Sequence, residues 1–301
     1  MKIAVMGAGA VGCFFGALLA QAGHGVTLIG RPALVEAVRD GGLLLERDGE
    51  RWHVAVLADT RPEAVAGAEL VLFCVKSFDT EAAAAAIAPH IGGDCSVWSL
   101  QNGIDNADRL AHILHRPAVP VAVYAALEAP AAGYVRHKGG GKMVIGPSTR
   151  SEEFAGLFAA AGIAARVAPD VVGTLWTKLA VNCALNALSA LAALPYGRLV
   201  GREGVDVLLK GVLAECRVVA EAYGVTLPPT LEDTVFGLGT SMAEQYSSTA
   251  QDLARGRRTE IDDLNGAILR RAAARGLEAP LNQALWTLVK LREASSPSPS
   301  P

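Results

Sequence analysis

Lys178, Asn182 and Asn186 recur at four-residue intervals in residues 176–186, a stretch that is otherwise almost wholly apolar. Spacing of i, i+4 and i+8 lines the three along one face of a helix. A cation and two amides inside an apolar helix are costly unless they meet partners. A cleft holding a polar ligand supplies such partners; bonds to other helices are the structural alternative. If chemistry occurs on this face, Lys178 is the best acid on offer. Burial or a neighbouring charge can lower its pKa toward neutrality, where it donates a proton efficiently.

A second polar cluster runs through Ser247, Ser248, Thr249, Gln251 and Asp252, then Arg255, Arg257, Arg258, Thr259, Glu260 and Asp262. Thr259 as N-cap with Asp262 at N3 reads as a near relative of the capping box. Glu260 fits a first-turn helix carboxylate and a site residue equally well, and Ser248 is just as open. The 6 histidines show no metal-ligand spacing and no Ser-His-Asp arrangement, so no metal is expected.

The third signal lies at the start of the chain. Gly7, Gly9 and Gly12 form a G-x-G-x-x-G pattern directly after a strand-like run and at the opening of a helix. In a dinucleotide site the first glycine permits the tight turn. The second lets backbone approach the pyrophosphate, and the third lets helix and sheet pack closely. The helix N-terminus attracts the phosphates. Residues Gly7, Ala8, Gly9, Ala10, Val11 and Gly12 are therefore expected to hold the cofactor. The end of the second strand carries Arg31 where NAD-type sites place an acid. A guanidinium there suits the 2′-phosphate of NADPH, by bidentate hydrogen bonds to an anion; a solvated surface arginine is the plain alternative. Lys76 and Asn102 follow later strands, at the carboxyl ends where such sheets bind ligands.

The elements that would position these residues alternate in the first half. Strands are predicted at residues 2–6, 26–29, 70–75 and 96–100, with helices at 10–22 and 80–88. A hairpin is expected about Asp48-Gly49, flanked by residues 43–46 and 53–57. Further strands are expected at 118–125 and 142–145, then a helix over 152–161. This order implies βαβ units around a mainly parallel sheet. After Pro169 helices take over, at residues 171–194, 204–223, 249–255, 261–275 and 281–293. The expected organisation is an α/β Rossmann-type dinucleotide-binding domain over 1–168, an all-α domain over 169–294 and a low-complexity, disordered tail over 295–301.

Bulk properties bound the function class. Of 301 residues, 51% are hydrophobic and 19% charged, which fills a substantial core. A net charge of −3 points to neither nucleic acid nor an anionic membrane as partner. Five scattered cysteines with no C-x-x-C pair read as buried thiols in a reducing compartment, the cytoplasm. The first 23 residues superficially resemble a secretory signal, but 4 glycines within residues 7–16 make poor signal-core helix and have the better explanation above. No membrane span is expected, because the most apolar segment, Leu179 to Leu194, contains Asn182 and Asn186 and directly follows Lys178. The apolar helical domain makes a homodimer plausible.

Taken together, these residues resemble the ketopantoate reductase (2-dehydropantoate 2-reductase) family. The marks are Gly7 to Gly12, Arg31, Cys74-Val-Lys76-Ser77, Gln101-Asn-Gly103 and Val135-Arg-His137. Trp176-Thr-Lys178 with Asn182 and Asn186, Ser247-Ser248, and Arg257 to Asp262 follow. The resemblance spans residues 2–293 and lies in the joint order and spacing. It implies NADPH-dependent reduction of 2-dehydropantoate to pantoate, with NADPH/NADP+ as cofactor and a small 2-oxo acid as substrate. By that resemblance Lys178 protonates the carbonyl oxygen, and Asn102 sits beside the reacting centre. Asn182, Asn186 and Ser248 hold the substrate, and Glu260 contacts cofactor or substrate. Arg31, Lys76 and a backbone group near Ala126 join the glycine loop in holding the cofactor. Such a site would lie in an interdomain cleft, a common ligand location.

Two departures bear on the substrate pocket. Pro195-Tyr196-Gly197 supplies no further asparagine after the helix, and Glu128 puts an acid near a strand end where neutral residues are expected. A reductase of another 2-oxo acid and a non-catalytic NADPH-binding protein are the alternative functions.

Overall fold

The computed structural model describes residues 1–295. Of the expected disordered tail, residues 296–301 lie outside the described residues. The chain folds as two compact units. Met1–Gln101 with Asp105–Val171 form one, and Asn102–Ile104 with the described chain from Val172 to Ser295 form the other.

In the first unit the elements run β1 (Lys2–Met6), α1 (Ala10–Gln21), β2 (Gly25–Ile29), α2 (Pro32–Gly41), β3 (Leu43–Arg47), β4 (Glu50–Val54), β5 (Leu57–Asp59), β6 (Leu70–Phe73) and α3 (Thr80–Ile87). They continue with β7 (Ser96–Ser99), α4 (Asn106–Leu114), β8 (Val119–Ala131), β9 (Tyr134–Ile145), α5 (Ser151–Ala160) and β10 (Ala165–Val167). The strands form one sheet in the order β4-β3-β9-β8-β7-β6-β1-β2-β5, with β10 on β9. Pairing is parallel except for β3–β4 and β8–β9. This is a Rossmann-like arrangement: β1 sits between β2 and β6, and its carboxyl end feeds the glycine turn into α1.

The side-chain alternation explains the central strands. Ile3 and Val5 join one buried cluster with Phe14, Phe15, Leu72 and Trp98. Ala4 joins another with Ile29, Val71, Phe73 and Ile87. Successive residues point to opposite faces, so a sheet covered on both sides needs an unbroken apolar run. Each fully buried side chain of this kind contributes about 1.5–3 kcal/mol.

Several boundaries differ from the sequence reading. Leu57, expected in the hairpin's second arm, starts β5 and pairs with Thr27 of β2. The short strands expected at 118–125 and 142–145 are parts of one long hairpin, β8–β9. Its alternation is hidden by Gly139, Gly140 and Gly141, where the register slips between Tyr124 and Ala125 and again after Ala126. Helices α2 and α4 were not anticipated.

The second unit is helical: α6 (Val171–Ala192, its first residue grouped with the sheet), α7 (Val205–Ala222), α8 (Leu231–Ser241), α9 (Ser248–Ala254), α10 (Asn265–Ala274) and α11 (Pro280–Ser295). Its core gathers Trp176, Leu179, Cys183 and Leu185 of α6 with Leu209, Val212 and Cys216 of α7 and Ile268, Leu285 and Val289. By length and composition α6 could cross a membrane, but 61% of its apolar window is buried inside the fold, as in a core helix. The helix expected over 261–275 is instead a 3-10 turn, Ile261–Asp263, followed by α10.

Candidate functional site

The candidate residues fall into two sets, one in each unit. In the sheet unit, Gly7 has φ of +92°, and a Cβ there would lie 2.4 Å from the Val75 nitrogen. The turn out of β1 therefore requires glycine. A Cβ on Gly12 would come within 2.7 Å of the Gly7 oxygen and of Val5 Cγ1, so close packing of α1 on the strand requires that one. Gly9 is different: a Cβ there would meet no atom within 4 Å, and the residue is exposed. Protein packing gives no reason for glycine at that position. It caps α1 without a side-chain bond, and the first turn of α1 contains no acid. The Gly7 and Ala8 nitrogens donate to the Ile29 oxygen at 3.0 and 3.1 Å and the Gly9 nitrogen to the Gly7 oxygen at 2.8 Å, so the donors left for a pyrophosphate are those of the first turn of α1, at the helix's positive end.

Arg31 is exposed and occupies the N-cap of α2, directly past the end of β2. Lys76 follows β6, half-buried, at the start of a 3-10 turn over Ser77–Asp79. A buried polar network holds its backbone on both sides. Gln101 Nε2 donates to the Val75 oxygen at 3.1 Å and to Thr80 Oγ1 at 2.7 Å. Asn106 Nδ2 donates to Ser77 Oγ at 3.0 Å, and Arg109 donates to the Ser77 oxygen at 2.7 Å. Sequence reasoning gave Thr80, Asn106 and Arg109 no role. Their signal is faint, since polar residues at helix starts are ordinary. Ala126 is buried in β8 opposite Gly139, at the register slip. His137 stacks on Phe14 of α1 with ring centroids 4.8 Å apart. Glu128 pairs with Arg136 across the hairpin at 3.5 Å, which offsets the acid that the sequence set beside the substrate pocket. Burial pushes the Cys13 thiol up to about 12, so it is no ready nucleophile.

In the helical unit, Lys178 Nζ donates to Asn102 Oδ1 at 3.0 Å, and Asn102 Nδ2 donates to Glu260 Oε2 at 3.3 Å. One amide thus joins an ammonium to a carboxylate across three separate segments of chain. Asn102 belongs to the three-residue excursion 102–104, whose Ile104 packs on the helical core. Glu260 is 5% exposed. Burial lowers the Lys178 pKa to about 8, against the Glu260 carboxylate, which acts to raise it. A half-buried ammonium with that pKa is a competent proton donor near neutral pH.

Further along α6, Asn182 is half-buried and Asn186 only 3% exposed. Asn186 Oδ1 accepts from the Tyr196 hydroxyl at 3.2 Å. Tyr196 therefore occupies an amide that the sequence reading gave to substrate. Ser248 is exposed at the start of α9, whereas Ser247 is the buried N-cap. Ser247 Oγ accepts from the Ala250 nitrogen at 3.0 Å and donates to the Asn186 oxygen at 3.0 Å. The capping box expected from Thr259 and Asp262 does not form. Thr259 Oγ1 does accept from the Ile261 nitrogen at 3.2 Å. Asp262, however, turns to Trp286 and Lys290 of α11.

Known proteins agree with this two-part plan. Residues 3–150 match the family described as ketopantoate reductase PanE/ApbA, and residues 170–293 match its C-terminal part. A 2-dehydropantoate 2-reductase of Halobacterium salinarum is 34% identical, over 97% of this chain and 99% of its own. The crystal structure of a PanE/ApbA family ketopantoate reductase from Ralstonia eutropha JMP134 superposes with a TM-score of 0.95 at 49% identity, covering 98% of this chain and 99% of that one. A 2-dehydropantoate 2-reductase from Geobacter metallireducens gives a TM-score of 0.90 at 27% identity, covering 97% and 99%. With matches to both parts and full-length relatives above 30% identity, the chain belongs to the ketopantoate reductase family.

Proposed function

We propose that this chain reduces 2-dehydropantoate to pantoate with NADPH, and that Lys178 supplies the proton. The observation that carries the reading is the hydrogen-bonded series Lys178–Asn102–Glu260, with the lysine acidified by burial. The family's curated relatives bear the name of that reaction.

The residues present fit the cofactor. Gly7 to Gly12 offer a backbone cradle in which the Gly9 position is open to a ligand. Arg31 would meet the 2′-phosphate, with Lys76 and the backbone near Ala126 as further contacts. When bound, NADPH supplies a hydride for the carbonyl carbon. The Lys178 ammonium donates its proton to the carbonyl oxygen as charge develops there, and is left neutral until solvent reprotonates it. A pKa near 8 keeps most of the ammonium charged at neutral pH yet makes it a stronger acid than an ordinary lysine. Asn102 orients that ammonium through its carbonyl oxygen. Asn182 and Ser248 would hold the substrate's carboxylate and hydroxyl, with Asn186 contributing through its remaining donor. Glu260, buried beside Asn102, would contact the nicotinamide side or the substrate.

A second reading keeps the chemistry and changes the 2-oxo acid. The Tyr196–Asn186 bond favours it, since it removes one acceptor from the substrate's reach. An assay of NADPH consumption with 2-dehydropantoate and a panel of 2-oxo acids, repeated with NADH, decides. Turnover confined to another 2-oxo acid supports the second reading. NADPH binding with no turnover of any would leave a non-catalytic binding protein. All five cysteines are free, which supports a reducing compartment such as the cytoplasm. We expect a homodimer, which light scattering would test.

A further inference from the structure

Glu260 sits between two anchored neighbours, and both anchors come from α11. On one side the Thr259 nitrogen and hydroxyl both donate to Glu293 Oε1, at 2.7 and 2.6 Å. On the other, Asp262 accepts from Trp286 Nε1 at 2.9 Å and from Lys290 at 3.1 Å. Lys290 closes the set by pairing with Glu293 Oε2 at 2.8 Å. Residues 286, 290 and 293 are spaced i, i+4, i+7, one stripe of α11. Thr259 is 1% exposed, so its two donors have no competing water.

We propose that this stripe of α11, and Glu293 above all, is the positioning element that sets the Glu260 carboxylate against Asn102 and hence fixes the proton donor Lys178. The inference rests on the reading of Lys178 and Glu260 as site residues. Nothing in the sequence spacing points to it, because Glu293 lies 34 residues from Thr259. The local geometry makes it specific. Glu260 caps the 3-10 turn with its backbone, accepting from Asp263 and Leu264 at 2.9 and 3.1 Å, and has no side-chain cap bond. The backbone that carries its side chain is held from both sides, through Thr259 and Asp262. The charged groups around this segment include Arg258, Asp262 and Asp263 from the segment itself, Lys178 from α6, Arg270 from α10, which donates to the Asp262 oxygen at 2.7 Å, and Lys290 and Glu293 from α11. The Glu260 carboxylate itself acts to raise the Lys178 pKa.

The test compares Glu293→Ala with Glu293→Gln in the full chain. The glutamine keeps an acceptor oxygen for both Thr259 donors; the alanine keeps none. Two readouts are taken: kcat and KM for 2-dehydropantoate with NADPH, and the titration midpoint of Lys178, from its rate of acetic anhydride labelling across pH. Glu293→Ala should lower kcat roughly 10- to 100-fold, as for a misplaced catalytic group, with KM for NADPH little changed. The Lys178 midpoint should fall below that measured for the wild type, because the carboxylate that acts to raise it has moved off. Glu293→Gln should restore both. Should the alanine variant not fold, Thr259→Val, which removes the hydroxyl donor alone, should move both readouts the same way. Wild-type values in folded Glu293→Ala, or a glutamine variant as impaired as the alanine, overturn the proposal. If the wild type does not turn over 2-dehydropantoate, the substrate reading fails by itself, and the labelling midpoint still decides the positioning.

Discussion

Lys178 and Asn102 are 76 residues apart in sequence and 3.0 Å apart at their polar tips. The amide accepts the ammonium proton with its oxygen and spends its own proton on Glu260. The lysine is thereby aimed without being neutralised, since an amide, unlike a carboxylate, orients an ammonium and leaves its acidity to the surroundings.

Replacing Lys178 by alanine should lower kcat by about 10²–10⁴-fold, the usual worth of a positioned general acid. NADPH affinity should stay close to wild type. The donor must be protonated to act, so kcat in the wild type should decline as pH rises through about 8. That alkaline limb should be missing from the residual activity of the variant. A wild-type profile flat from neutral pH to well above that value would remove Lys178 from the mechanism.

The two glycines of the opening turn should fail differently. Gly7→Ala places a side chain at positive φ against the Val75 nitrogen and should cost roughly 1–3 kcal/mol of stability, visible as a lower Tm. Gly9→Ala meets no protein atom and should leave Tm unchanged, while NADPH affinity drops about tenfold or more, a loss of ~1.4 kcal/mol. Unimpaired NADPH binding by Gly9→Ala would mean that the phosphates lie elsewhere.

On the proposed reading Arg31 selects NADPH over NADH. Arg31→Asp should raise the NADPH Kd about 10- to 100-fold, as expected for losing charge-assisted bonds of roughly 1.5–3 kcal/mol. NADH affinity should hold or improve. Titration of both cofactors with both proteins is the check, and equal NADPH affinity would end the assignment.

The adjacent serines differ in burial, Ser247 being enclosed and Ser248 exposed. Ser247→Ala removes a buried cap and its bond to the Asn186 oxygen, and should destabilise by about 1–2 kcal/mol. Ser248→Ala should leave Tm near wild type, because that side chain is exposed. A raised KM for the 2-oxo acid is expected; an unchanged one takes Ser248 out of the substrate site.

What the sequence could reveal followed the range of the forces involved. The glycine turn is a local constraint and was readable from Gly7 to Gly12. Strands such as Leu70–Phe73 were readable because burial on both faces leaves an unbroken apolar run. The spacing of Lys178, Asn182 and Asn186 was readable too, but not that Asn186 turns to Tyr196. Helix α8 escaped notice because Gly237 and Gly239 dilute its pattern, and tertiary packing of Leu231 and Val235 overrides weak propensity. The partnership of Asn102 with Glu260 spans 158 residues, and no periodicity encodes a contact of that reach.

The loan of Asn102–Ile104 to the helical unit has a practical corollary. Cutting the gene at the obvious junction, so that a fragment starts at Val172, would strand Lys178 and Glu260 without the amide that links them. Two halves produced separately would each look well folded on paper, yet the helical one would lack an internal strut. Complementation by co-expressing the halves would then have to deliver a tripeptide from the middle of the other fragment.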